Sequence, residues 1–433
     1  MSGQGGDAAG GAPTLTERLA ARLAAPVGAA ARALARRHLL DWLACVAGAR
    51  GSALGGLAAA AEPDPVLRAG LLGNLLEMDD VDRLGRLHPG PVVWPAALAA
   101  AREAGAAFGA MLEGAVRGIE AMVRIGRSLD AHHYAHWHPT ATAGVFGAAA
   151  AAASVFGLAP RQTVWALGNA GSLAGGLWQV RHEPQAITKA LHVAHAALCG
   201  LRAARLARHG GVGPRAILEG PQGLYAAATR APAADAVVAP AEGWRIAELS
   251  LKPWPACRHA HPAIDAALAL PRAALADGPV RVETYADALA FCDRPEPETE
   301  AEARFSLQHA LAVVMVRGRP GLSDFTAEAV QDPALAAARR RVVPALAPDL
   351  EARYPAHYGA RVTAGGATAE VPDAWGDPEN PLDEDSLAGK LRALGRWGGL
   401  ASGEVARTLE LVRETPDDAP VAPLVDLLSG WLR

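Results

Sequence analysis

Cysteine is scarce in this 433-residue chain: Cys45, Cys199, Cys257 and Cys292 stand far apart, with no CxxC spacing. That excludes a disulfide framework, argues against a structural zinc site, and fits a reduced, cytosolic setting. Lysine is scarcer still, with only Lys189, Lys252 and Lys390 in a chain that uses Arg almost everywhere else. No GxGxxG follows a strand pattern, and there is no Walker-type loop, no HExxH and no internal repeat. The formal net charge of −4 carries no polybasic signature, so neither nucleic acid nor an anionic membrane surface is an expected partner. The opening MSGQGGDAAGGAP has no apolar h-region and reads as a disordered leader over residues 1–13 rather than a signal peptide. The longest uncharged run, residues 139–160, is mostly Ala, Gly and Thr. It is too weakly apolar for a membrane span and reads as a buried helix that its neighbours approach closely.

What is present is helix after helix. LTERLAARLAA, ARALARRHLLDWLACVAG, VVWPAALAAAREAGAAFG and ITKALHVAHAALCGLRAARLARHGG are rich in Ala, Leu and Arg, and several end on Gly. The texture changes after LKPWPACRHAHP: Val280, Val282 and Thr284 alternate with Arg281, Glu283 and Tyr285, which is strand periodicity, and GARVTAGGATAEV reads as a hairpin. The expectation is a mainly α protein. A large all-helical domain is built from residues 14–255 and 391–433, and a smaller α+β domain, 256–390, is inserted between them. An interdomain cleft is the usual place for a ligand.

Several segments offer chemistry. NLLEMDDVDRLGRLHPGP places Glu77, Asp79, Asp80, Asp82 and His88 between two helices; such a set can bind a metal, run proton transfer, or form a solvated acidic loop. DAHHYAHWHPTATAG holds His132, His133, His136 and His138. His132 and His136 have the i,i+4 spacing of metal ligands, but no further motif completes such a site. His138 precedes Pro139, a residue favoured at the first helical position, so it sits at the positive end of a helix dipole, stays neutral near pH 7, and can act as a general base. Lys189 stands near the start of its own helix, with His192 one turn on. Lys252 lies where the chain crosses between domains, followed by Cys257, His259 and His261; Ser306, Gln308 and His309 are placed to reach the cleft from the other side.

Taken in order, LLDWLACVAG, MDDVDRLGRLHPGPVVWPAALAAAREAG, HPTATAGVFGAAAAAASVFGL, ITKALHVAHAALCGLRAARLARHGGVGPRAILEGPQGL, LKPWPACRHAH, EARFSLQHALA and WGDPENPLDEDSLAGKL resemble the MmgE/PrpD family from about residue 15 to the end. The resemblance implies an all-helical domain with a smaller α+β lid, a homodimer, and a site that requires no metal or organic cofactor. It also implies a lyase for a small di- or tricarboxylate, foremost a dehydratase of the 2-methylcitrate dehydratase type on a related substrate. A cis-aconitate-type decarboxylase, an iminodisuccinate-type epimerase, or a catalytically silent carboxylate-binding homologue are the alternatives. His88, His138, Lys189 and Lys252 fall on the family's active-site positions, whereas His132, His133 and His136 do not. The expected catalytic set is His138, His88, Lys189 and Glu77, with Lys252, Asp79, His309 and His261 binding substrate. Departures from the family pattern are Glu77 for Asp, Val81 for Thr, Asn74 for His, His309 for Tyr, and one extra residue between Asp80 and His88.

Overall fold

The computed structural model describes residues 12–183 and 187–432. The Gly-rich leader therefore lies, up to residue 11, outside the described residues. The protein is mainly helical, and its largest hydrophobic core gathers side chains from Leu19 to Leu251 and again from Leu382 to Leu432, with Leu322 joining from the segment between. At its centre runs the helix Pro139–Val155, in which every residue but Ser154 is buried. It is surrounded by the helices Gly90–Ala104, Phe108–Ser128, Pro160–Gly171 and Thr188–Arg208. Small side chains permit this. A Cβ placed on Gly118 would lie 2.7 Å from the carbonyl oxygen of Gly147, so the two backbones approach more closely than any larger residue allows. Among the described residues no single helix is long and apolar enough to cross a membrane. From Leu382 onward the chain returns to this core, where the helix Glu384–Trp397 packs along Ala29–Ala49.

A second core is drawn from Trp254 to Ala364. It packs the helices His261–Ala269 and Leu307–Val316 against a four-stranded sheet of β1 (Val280–Thr284), β2 (Val342–Leu346), β3 (Ala360–Ala364) and β4 (Ala367–Val371). The strand order is β2-β1-β3-β4. β1 runs parallel to β2, with Val282 opposite Pro344, and antiparallel to β3, with Val282 opposite Val362. Val280, Val282 and Thr284 face inward, as their alternation predicts. Tyr285 does not continue the pattern: the strand ends before it, and its side chain is buried against the ring of His259. The β3–β4 hairpin closes through Gly365 and Gly366, at φ 55° and 80°, the left-handed pair that a two-residue turn requires. β2 carries no periodic signal because Pro344 interrupts it; the strand tolerates a residue without an N–H because it lies at the sheet edge.

Candidate active site

The acidic segment follows the helix Pro65–Asn74 and ends at Gly90, the start of the next helix. It is not a solvated loop: Asp79, Asp80 and Asp82 are each no more than 2% exposed. Buried carboxylates persist only with partners, and each has them. Asp82 accepts from Arg127 Nε at 3.1 Å and from the Gly85 amide at 2.8 Å. Asp80 accepts from the Gly90 amide at 2.7 Å and meets His38 Nδ1 at 3.0 Å. Asp79 accepts from Asn74 Nδ2 at 2.8 Å and lies 3.3 Å from His88 Nδ1 and 3.7 Å from Lys252 Nζ. Below the segment, buried Lys390 donates to Asp41 Oδ1 at 2.5 Å and to the carbonyl of Met78 at 2.6 Å. It ties the far end of the chain to the middle of the loop.

Glu77 sits on this support in the left-handed region, at φ 56°, where a non-glycine residue costs of order 1 kcal/mol or more. The strained backbone turns its carboxylate onto Lys189, with which it forms an ion pair. Lys252 Nζ donates to the Glu77 carbonyl at 3.1 Å and lies 3.9 Å from its carboxylate. Burial pushes the Glu77 carboxyl up, but Lys189, Lys252 and His88 outweigh burial and hold it at about 2. Conversely, burial works against the Lys189 ammonium, while Glu77 and Asp79 raise its pKa above the usual value. Both groups are therefore charged at neutral pH.

The two imidazoles differ in their surroundings. His88 Nδ1 lies 2.9 Å from the Asp80 carbonyl and close to the Asp79 carboxylate. Two acceptors at one nitrogen put the proton there and leave a lone pair on Nε2. His138 caps the N-terminus of the central helix, with its amide donating to the Gly176 carbonyl at 2.7 Å. Its ring stacks on Trp178, with centroids 4.4 Å apart, and lies 5.7 Å from the ring of His192. Its Nδ1 is buried with no hydrogen-bond partner among the described residues. Burial, with Lys189 and His192 adding to it, lowers the His138 pKa well below the usual histidine value; burial lowers that of His88 as well, against the pull of Asp79. The arrangement is two ammonium groups, a carboxylate–imidazole pair and a second neutral imidazole, able to hold an anion and move a proton.

Two family models match the chain, the MmgE/PrpD N-terminal domain over residues 64–236 and the C-terminal domain over residues 254–415. The chain belongs to the MmgE/PrpD family. It is also 28% identical, over 308 residues and 68% of its own length, to the cis-aconitate decarboxylase of Mus musculus. The chain spans 62% of the length of that relative.

Of the residues that the MmgE/PrpD resemblance singles out, Glu77, Asp79, His88, His138, Lys189 and Lys252 come together. His309 does not join them. Its Nε2 lies 2.7 Å from the Asp324 carbonyl and its Nδ1 3.0 Å from Arg339, so both ring nitrogens are engaged inside the second core. His261 is fully buried, with Nε2 3.0 Å from the Ala256 carbonyl. It stands at the start of its helix, and its Nδ1 is buried with no hydrogen-bond partner among the described residues. At the start of the helix Leu307–Val316, Gln308 accepts from the Arg294 amide and the N-cap Ser306 donates to the Arg294 carbonyl, so both are engaged by the preceding loop. In the histidine-rich segment, His133 bonds Thr142 at 3.0 Å, while the rings of half-buried His132 and exposed His136 lie 4.7 Å apart.

Among the described residues, the donor set compact enough for a cation is His357, Asp373 and Glu379, but the Arg83 guanidinium already pairs with Glu379 and lies 3.5 Å from Asp373. Sequence reasoning missed Trp178, Arg304 and Phe305. Arg304 donates to the Leu75 carbonyl at 3.0 Å, and the Phe305 ring centre lies 5.8 Å from Lys189 Nζ. The second core thus touches the cluster through the two residues just before Ser306.

Proposed function

We propose that this chain is a lyase for a small di- or tricarboxylate, a dehydratase of the 2-methylcitrate dehydratase type on a related substrate, working without a metal or organic cofactor. The observation that carries the reading is the junction of Lys189 and Lys252 with the Asp79–His88 pair and the neutral His138. Removing a C–H proton next to a carboxylate leaves negative charge on that carboxylate, and fixed ammonium groups stabilise it as it develops. His88 Nε2 takes the proton, and Asp79 stabilises the imidazolium that forms. The electron pair becomes the C=C bond, the C–O bond breaks, and the hydroxide leaves as water with the proton that His88 has just taken, which returns that imidazole to its neutral form. Glu77 is no proton donor in this scheme, because at about 2 its carboxyl is ionised at working pH; it positions Lys189. The smaller α+β unit acts as a lid, with Arg304 and Phe305 as its contact edge, and closure strengthens these interactions by excluding water. We include the family's homodimer in the proposal; exposed Leu173, Leu177 and Leu191 offer apolar surface for a second copy.

A second reading, decarboxylation, is favoured by the similarity to the mouse decarboxylase. There the electron pair left at carbon by CO₂ takes a proton that His88 draws from solvent onto Nε2, beside Asp79, and passes on. The test is proton NMR in D₂O with 2-methylcitrate, citrate and cis-aconitate. Loss of water from a hydroxy acid supports the first reading; loss of CO₂ with deuterium gained at carbon supports the second. Lys189→Ala and His138→Ala should each lose at least about a hundredfold in turnover. Binding of the acids without product or exchange at carbon would overturn both readings and leave a silent carboxylate-binding protein.

A further inference from the structure

The charges in the cluster nearly cancel. Lys189 and Lys252 face Glu77 and Asp79, and the imidazoles beside them are neutral. A substrate with one carboxylate on the lysines must find another cation for its second, since a buried charge needs a partner. Next to His138 the structure provides a frame for one. Trp178, stacked on His138, meets Tyr134 edge-on at 6.4 Å, and Tyr134 lies 6.4 Å from Phe291 of the second core.

Two guanidinium groups rest on this frame. Arg86 Cζ lies 4.4 Å from the centre of the Tyr134 ring. Arg181 Cζ lies 4.5 Å from that of Phe291, 5.4 Å from Trp178 and 5.6 Å from Tyr134. An aromatic face orients a guanidinium without neutralising it. Arg86 Nε and Trp178 Nε1 are buried donors with no acceptor among the described residues, and such donors are costly unless something meets them. Arg86 is, with Glu77, one of two non-glycine residues at positive φ among those described, at 54°, and it stands two residues before His88. Strained backbone of this kind is retained where the surroundings demand a particular side-chain direction.

We infer that Arg86 and Arg181, framed by Tyr134, Trp178 and Phe291, form an anion subsite for a second carboxylate of the substrate. The inference rests on the proposed function and deepens it: these two arginines, rather than the lysines, hold the second acid group and select against monocarboxylates. Guanidinium groups suit the task because they remain charged and present paired donors to a planar carboxylate.

Ligand-observed NMR gives the dissociation constants of propane-1,2,3-tricarboxylate and of acetate for the full chain and for Arg86→Gln, Arg181→Gln and Lys189→Gln. The arginine variants should each weaken tricarboxylate binding by about tenfold or more and leave acetate within about twofold, whereas Lys189→Gln should weaken both. Arg181 is exposed on a short 3-10 turn, so its variant decides the matter even if the Arg86 variant does not fold. Tricarboxylate affinity unchanged in the folded arginine variants, or a wild type that binds the tricarboxylate no better than acetate, overturns the subsite alone. A wild type that binds neither overturns the proposed function with it.

Discussion

Asp79→Asn isolates the carboxylate–imidazole pair. Asn keeps the shape of Asp and its hydrogen bond to Asn74, but it removes the negative charge 3.3 Å from His88 Nδ1. At an effective dielectric constant of about 20, two unit charges about 4 Å apart interact by roughly 4 kcal/mol. That is an upper bound on how much Asp79 stabilises the imidazolium, and the Coulomb energy of Lys252, 3.7 Å away, offsets part of it. Half of the bound, about 2 kcal/mol, is roughly a thirtyfold loss in rate, and the whole is about a thousandfold. The variant should therefore lose about thirty- to a thousandfold in kcat, with a smaller change in KM. The acidic limb of its kcat/KM profile should move to lower pH, since the imidazole that acts as base loses the charge that holds its proton. The assay is the pH dependence of turnover with the acid consumed in D₂O, with circular dichroism showing that the variant is folded. A folded variant with kcat within about threefold of wild type would refute the role of His88 as base.

Lys390→Met should lower the unfolding free energy by about 3–5 kcal/mol, because it leaves Asp41 buried without its partner and the Met78 carbonyl without its donor; urea unfolding that moves by less than about 1 kcal/mol would show that the strut carries no load. His309→Ala should lower the melting temperature, by losing the bonds to Asp324 and Arg339, yet leave kcat within about twofold; a large loss of kcat with an unchanged melting temperature would put His309 at the substrate after all. The pH dependence of stability follows from the buried histidines. Burial pulls His133 down to about 4, and it lowers His88, His138, His261 and His309 too. Above their unfolded pKa of about 6.5 they cost nothing; below it the unfolded chain binds protons that the folded one refuses. Stability should thus fall from pH 6.5 downward, by up to about 1.4 kcal/mol per pH unit for each such histidine. Asp41, which burial raises to about 6, works in the opposite sense for a single proton. Glu77, held at about 2, stabilises the fold above pH 4.5 and loses that contribution as pH falls toward 2. Urea midpoints that stay level between pH 7 and 5 would contradict this account.

Wherever the decisive interaction is local, the sequence was sufficient. Pro139 after His138 places that histidine at a helix start, Gly365–Gly366 between alternating residues makes a hairpin, and an Ala/Gly run makes a helix that others can approach. Each follows from backbone sterics acting within a few residues. The scarcity of lysine likewise pointed at Lys189 and Lys252, and both are in the cluster. His309 shows the limit. One helix turn looks the same whether its outer face meets a cleft or a core, and packing turned this one onto Asp324 and Arg339. The pairing of Lys390 with Asp41 joins positions 349 residues apart. No periodicity encodes such a pair, just as none encodes the aromatic frame that brings Trp178 to His138 and Arg86 to Tyr134. Residue types and their local order determine which side chains can do chemistry; which of them lose water, gain a partner and so acquire a shifted pKa is decided only when distant segments pack, because desolvation and Coulomb energy depend on distance in space rather than along the chain.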